Sequence, residues 1–110
     1  NYPERLPSAC RKMSVADYAN LTFEAPDREK FPLLDMAFDA IHCGGNVPCA
    51  LNAANEIAVA AFLADRIGFM QMPEVVAEAV ARNRFIASPT YDDYVATNAE
   101  IRKIAEELIK

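Results

Sequence analysis

From Phe31 to the C-terminus, apolar residues recur every three or four positions, the period of a helix with one buried side. Pro32 suits a first helical position, and Leu33, Leu34, Ala37, Phe38 and Ile41 form one apolar face before Gly44-Gly45 supplies a left-handed stop. A second helix, entered near Pro48 or Asn52, holds the run at residues 51–63, apolar on nearly every face. It is expected to end around Asp65-Arg66, with Gly68 as terminator. Pro73 opens a third, whose inward stripe is Val75, Val76, Ala79 and Val80. It frays by Arg84-Phe85, because Ser88-Pro89 disfavours further helix. Tyr91-Asp92-Asp93-Tyr94 makes a helical turn. A last helix then starts at Thr97 as N-cap, with Glu100 reaching back in a capping box. Its buried face is Ile101, Ile104, Ala105, Leu108 and Ile109, and nothing in the stretch alternates with period two.

Residues 1–30 have a different texture. Pro3, Pro7 and Pro26 punctuate them, and apolar residues are sparse before Leu21-Thr22-Phe23. Ser14 can cap one short turn over Val15-Ala16-Asp17 through its hydroxyl. The predicted fold class is all-α: an approximately four-helix bundle over residues 31–110, behind an irregular, mostly extended N-terminal arm at 1–30. Such an arm is expected to lie against this domain or a neighbour.

The second helix carries the one polar cluster that needs explaining. On a 3.6-residue period Asn52, Asn55 and Glu56 share a stripe that Val59 and Leu63 continue. A helix apolar all round is usually buried all round, so these groups must find partners or border an opening. The segment is therefore either the central strut of the bundle or the floor of a site. As structure, Asn52, Asn55 and Glu56 are expected to be buried and to bond the backbone of the arm or an adjacent loop. As a site, they would hydrogen-bond a ligand.

Composition narrows the field. A chain of 110 residues that is 53% hydrophobic can form one packed domain and bury roughly two-thirds of its unfolded surface. The net charge of −5, with no lysine/arginine block, gives no footprint for nucleic acid or an anionic membrane surface. The apolar run from Ile57 to Ala64 is too short to span a bilayer, and Asn1-Tyr2-Pro3-Glu4-Arg5 leads into no signal-like segment. Cys10, Cys43 and Cys49 are an odd set without framework spacing, which suits a reducing cytosol and ordinary buried thiols. His42-Cys43 with Cys49 lacks the fourth ligand and close pairs that zinc requires.

Catalytic chemistry is not in view. His42 is the sole histidine, and beside the glycine stop it suits a cation at a helix C-terminus better than a general base. No glycine-rich nucleotide loop occurs. Asp92-Asp93 and Glu106-Glu107 read as solvated surface, since adjacent residues diverge by about 100° on a helix. Met70 and Met72 read as core filling before they read as a docking surface, and Cys10 before Arg11-Lys12 as an incidental thiol. No catalytic, cofactor-binding or metal-binding residue is assigned.

Three blocks together carry a resemblance. Leu21-Thr22-Phe23-Glu24-Ala25-Pro26-Asp27, then Phe31-Pro32, then Ala50-Leu51-Asn52-Ala53-Ala54-Asn55-Glu56 with Val59-Ala60-Ala61-Phe62-Leu63, resemble the C-terminal part of 1-deoxy-D-xylulose 5-phosphate reductoisomerases. The likeness runs from Tyr2-Pro3 through the final helix. It departs at Lys12-Met13-Ser14, where the family more often shows a Pro-Leu-Asp-like triplet, so it implies no particular path for the arm.

The resemblance implies a bacterial or plastid enzyme of non-mevalonate isoprenoid biosynthesis. Such an enzyme converts 1-deoxy-D-xylulose 5-phosphate to 2-C-methyl-D-erythritol 4-phosphate by rearrangement and NADPH reduction, with magnesium or manganese organising the substrate oxygens. Its nucleotide-binding and central catalytic domains precede a linker and a helical bundle, and this chain resembles only the last two. The implied role is that of a structural domain, inert alone, whose partners are those preceding domains, in a bacterial cytoplasm. Asn52, Asn55 and Glu56 are then signature residues of the bundle. A homodimer formed by exchange of arms would bury Leu21 and Phe23. A free-standing helical interaction module is the alternative.

Overall fold

A computed structural model describes residues 2–110; residue 1 of the predicted arm lies outside the described residues. Four helices follow in order, α1 (Leu33–Cys43), α2 (Val47–Leu63), α3 (Gln71–Ala81) and α4 (Tyr91–Ile109). No strand occurs among the described residues. Before α1 there is only a 3-10 turn at Val15–Tyr18. The Ser14 carbonyl closes that turn, accepting from the Asp17 amide at 3.1 Å, while the Ser14 hydroxyl makes no capping bond.

The helices assemble around α2, which packs on α1, α3 and α4. Its inward line is Ala50, Ala53, Ala54, Ala58 and Ala61, all buried. Methyl groups along one helix face let neighbouring backbones approach closely. The larger side chains come from outside: Met72, Val75 and Val76 on α3, beside Ala79, and Ile101 on α4, beside Ala105. Burial of side chains the size of Val76 or Ile101 stabilises by about 1.5–3 kcal/mol each. The inward stripes read from the sequence for the third and fourth helices are those observed, with Val80, Ile104, Leu108 and Ile109 packed at the margin.

On α1 the stripe is displaced. Ala40 is buried and Leu33 and Met36 pack at the margin, whereas Leu34, Phe38 and Ile41 are exposed, Ile41 by 71%. The apolar arc of α1 is wider than the line α2 can cover, so its outer half is left bare. The arm is barer still, with Leu21 exposed and Phe23 90% exposed. The radius of gyration of 18.5 Å, against about 13 Å for a compact chain this long, reflects an arm that does not fold onto the bundle. Only its root is held. The Phe31 amide donates to the Asp27 carbonyl at 2.9 Å, Arg28 pairs with Asp35 at 2.7 Å, and the Phe31 ring meets Phe69 edge-on at 6.3 Å.

Two helix ends differ from the sequence expectation. The last helix begins seven residues early: Thr90 in extended backbone accepts from the Asp93 amide at 3.3 Å, and the Asp93 carboxylate accepts from the Thr90 amide at 2.9 Å. This is a capping box with the same spacing as Thr97 and Glu100. Thr97 instead lies inside α4, buried. Gly68 does not terminate α2. That role falls to Asp65 at φ 56°, in a Schellman arrangement where the Arg66 amide donates to Ala61 and the Asp65 amide to Phe62.

The α1–α2 corner follows the expectation and adds a constraint. Gly44 at φ 70° donates its amide to the Ala40 carbonyl at 3.0 Å and ends α1. Gly45 at φ 56° faces the segment after α3 so closely that a Cβ would sit 2.3 Å from the Ile86 carbonyl oxygen and 2.9 Å from the Phe85 ring. Gly45→Ala combines a left-handed backbone with a backbone clash and is expected to cost about 2–4 kcal/mol, read as a lowered urea midpoint at unchanged slope.

Candidate functional site

The α2 stripe singled out by the sequence is not where that reading put it. Because the alanines point inward, Asn52 and Glu56 are exposed and Asn55 is half-buried. None of the three bonds backbone of the arm or of a loop. Asn52 Nδ2 donates to Glu56 Oε1 at 3.0 Å, and Glu56 Oε2 accepts from Arg102 Nη2 on α4. Arg102 Nε donates in turn to Asn98 Oδ1 at 3.1 Å. The Arg102 hydrogen bond, then that of Asn52, then the guanidinium charge hold the Glu56 carboxyl below its usual value. The result is a surface tie between α2 and α4, not a buried lock.

The buried amide is Asn46, which the sequence reading absorbed into the glycine stop. It has no exposed surface. Asn46 Nδ2 donates to the Arg84 carbonyl at 2.9 Å, to Thr97 Oγ1 at 3.0 Å and to Asn83 Oδ1 at 3.2 Å, sharing two N–H groups among three acceptors. Its Oδ1 accepts from the Ile86 amide at 2.9 Å and from Asn83 Nδ2 at 3.2 Å. The backbone fixes the orientation, since a flipped amide would set oxygen against the Arg84 carbonyl and nitrogen against the Ile86 N–H. The Asn46 amide itself donates to the Ile86 carbonyl at 3.1 Å. The stitching of irregular backbone expected of Asn52 and Asn55 is therefore performed six residues earlier. The only sequence signal was an asparagine between a glycine pair and Val47-Pro48, a pattern that any N-cap satisfies.

Beside the stripe, α1 and α2 form a groove of about 370 Å³ lined by Leu33, Ala37, Ile41, Leu51, Asn52 and Asn55. Other candidate groups do not converge. His42 is exposed, its Nδ1 2.7 Å from the Phe38 carbonyl one turn back. Cys10 and Cys43 are exposed rather than buried, and all three thiols are free. Cys49 is half-buried, and burial pushes its thiol above the usual cysteine value. Met72 is core as expected, but Met70 is exposed. Glu106 pairs with Arg66 at 3.4 Å. Asp93, read as simple surface, is held below the usual aspartate value by the Thr90 backbone and hydroxyl. Among the described residues, no three His, Cys, Asp or Glu side chains are placed to hold a metal. The groove is lined by no His, Cys, Asp or Glu that could ligate a metal and by no cation or glycine turn that could hold a dinucleotide's phosphates, so its lining fits neither group. No helix is long and apolar enough to cross a membrane.

Comparison with known proteins matches the whole chain. The profile of the DXP reductoisomerase C-terminal domain covers residues 1–104. The 1-deoxy-D-xylulose 5-phosphate reductoisomerase of Bacteroides thetaiotaomicron is 50% identical over 109 residues, 99% of this chain and 28% of the relative. That of Acetivibrio thermocellus is 41% identical over 99% of this chain and 29% of its own length. Among solved structures, the Zymomonas mobilis reductoisomerase in complex with NADPH superposes with a TM-score of 0.87 at 36% identity, over 99% of this chain and 29% of that one. A DOX-P reductoisomerase structure with fosmidomycin and magnesium gives 0.83 at 32% identity, over 98% and 29%. The chain thus spans under a third of the length of these relatives.

Two measurements check the geometry. Asn46→Ala orphans the Ile86 amide and the Arg84 carbonyl together and is expected to cost about 2–4 kcal/mol. Asn46→Asp should cost more, because it turns a charge toward that carbonyl; urea denaturation of both variants decides. The Glu56 tie has its own signature. With the folded value below the unfolded one, its contribution is present above pH 4.5 and is lost as pH falls through the folded value. The Tm difference between the wild type and Glu56→Gln should therefore shrink on acidification below pH 4.5. A difference independent of pH would remove the ion pair from the account.

Proposed function

The chain belongs to the DXP reductoisomerase C-terminal domain family, and on that premise we propose that it is the structural bundle and linker of a bacterial reductoisomerase. The parent enzyme would rearrange 1-deoxy-D-xylulose 5-phosphate and reduce the product with NADPH to 2-C-methyl-D-erythritol 4-phosphate, in the cytoplasm. Its magnesium or manganese and its nucleotide would be held by the preceding domains, because the residues of this chain suit neither. Residues 1–30 would be the linker from the central domain, and 31–110 the bundle.

The observation that carries this reading is the end-to-end match at TM-score 0.87 to a reductoisomerase of which the chain covers 29%. The similar Zymomonas mobilis reductoisomerase holds NADPH and a second reductoisomerase structure holds magnesium with fosmidomycin; in this reading the bundle contributes shape. Its hydrogen bonds are spent internally: Asn46 on the loop after α3, Glu56 on Arg102. That economy suits a scaffold whose task is to stay rigid.

Mixing the chain with NADPH, manganese and 1-deoxy-D-xylulose 5-phosphate should give no enzyme-dependent loss of nicotinamide absorbance. Turnover by the 110 residues alone would overturn the assignment of catalysis to other domains. The coding sequence upstream should continue into a nucleotide-binding strand–helix segment and a carboxylate cluster; a start codon there would make the chain a free-standing module.

A further inference from the structure

We propose that the outward face of α1, together with the α1–α2 groove, receives an extended segment of the domain that precedes the arm in the parent enzyme. The proposal rests on the reading of this chain as part of that enzyme. Leu34, Phe38 and Ile41 form a bare apolar strip, while the outward positions of α3 and α4 include Glu74, Glu78, Glu100, Lys103 and Glu107. Three exposed apolar side chains in one line on a helix, beside a groove, mark an interaction face.

The groove beside the strip states what it fits. Leu33, Ala37, Ile41 and Leu51 line it with apolar surface, and Asn52 and Asn55 add carboxamides to the lining. Asn52 spends one N–H on Glu56, and the Asn55 side chain has no hydrogen-bond partner among the described residues. A carboxamide offers an acceptor and two donors, the complement of a peptide unit. A largely apolar lining that includes two carboxamides therefore suits an extended backbone with one apolar side chain turned in. A hydrocarbon ligand would leave the amides idle, and an anionic one would find no cation in the groove.

Chain continuity names the source. The matched family is a C-terminal domain and the chain is 28% of its relative, so the remainder of such an enzyme lies upstream. It reaches the bundle through the arm, whose root enters the first turn of α1, held there by the Arg28–Asp35 pair and the Phe31–Phe69 contact. The preceding domain is thereby tethered to the element that carries the bare strip. The chain's own Leu21 and Phe23 do not occupy the groove; they are exposed.

The test compares the 110-residue chain with the full-length enzyme. Phe38→Lys and Ile41→Lys alter exposed positions, so neither should change the Tm of the isolated chain. In the full-length enzyme each should loosen docking, seen as limited proteolysis of the arm faster by on the order of tenfold. The double variant Asn52→Ala/Asn55→Ala should act in the same direction. A full-length Ile41→Lys enzyme with wild-type proteolysis and turnover would overturn the docking face while leaving the parent assignment intact. An inactive wild-type full-length protein would instead sink that assignment. An isolated chain that sediments as a dimer dissolved by Ile41→Lys, with the full-length variant unaffected, would give the face to a second copy and overturn the proposal.

Discussion

The side chain of Asn46 joins the three parts of the bundle that no helix connects. It sits at the corner between α1 and α2, bonds both directions of the backbone after α3, and reaches Thr97 in the middle of α4. The segment at residues 83–86 has no ladder of its own, so its amide and carbonyl groups need side-chain partners once buried. One carboxamide supplies both an acceptor and donors at that spot. The rest of the corner is arranged to admit it. Gly44 stops α1, and Gly45, lacking a Cβ, lets the backbone pass against the Ile86 carbonyl. With the loop fixed, Thr90 and Asp93 can start α4 at an angle that returns Ile101 and Ala105 to α2.

Around that corner the packing is simple. A helix with an alanine face can be the middle of a small bundle because it needs little radial space, and α3 and α4 fill the volume with valine, methionine and isoleucine. The same arrangement sends the polar stripe of α2 outward. Asn52 and Glu56 then tie to Arg102 at the surface, where solvent screens an ion pair and limits what it contributes. On α1, only one line of a broad apolar arc finds a partner. Stability is thus concentrated on α2, α3 and α4, while the arm and the outer half of α1 leave apolar side chains bare.

Particular residues show what was legible in the chain. Val75, Val76 and Ala79 declared their helix and its inward face, as did Ile101 and Ala105, because a 3.6-residue period records which side is dry. Gly44-Gly45 declared the stop for the same local reason. The sequence reading places the cap of α4 at Thr97, although Thr90 with Asp93 has the same spacing as Thr97 with Glu100. Only burial of Thr97 against Asn46 separates them. The amides of α2 were misplaced because "apolar all round" counted alanine as a demand for burial. Alanine satisfies an exposed position nearly as well as a buried one.

The sequence alone therefore determined the class of fold, the number of helices, the faces of α3 and α4, and the kinship blocks from Leu21 to Leu63. These are local or periodic properties, written in residues near one another. The tertiary structure alone decided which asparagine is buried, where α4 begins, that Asp65 rather than Gly68 ends α2, and that α1 keeps an apolar face outward. The burial of Asn46 and of Thr97 depends on contacts between residues far apart in the chain. Asn46 and Thr97 are fifty-one positions apart, and no local propensity encodes such a meeting.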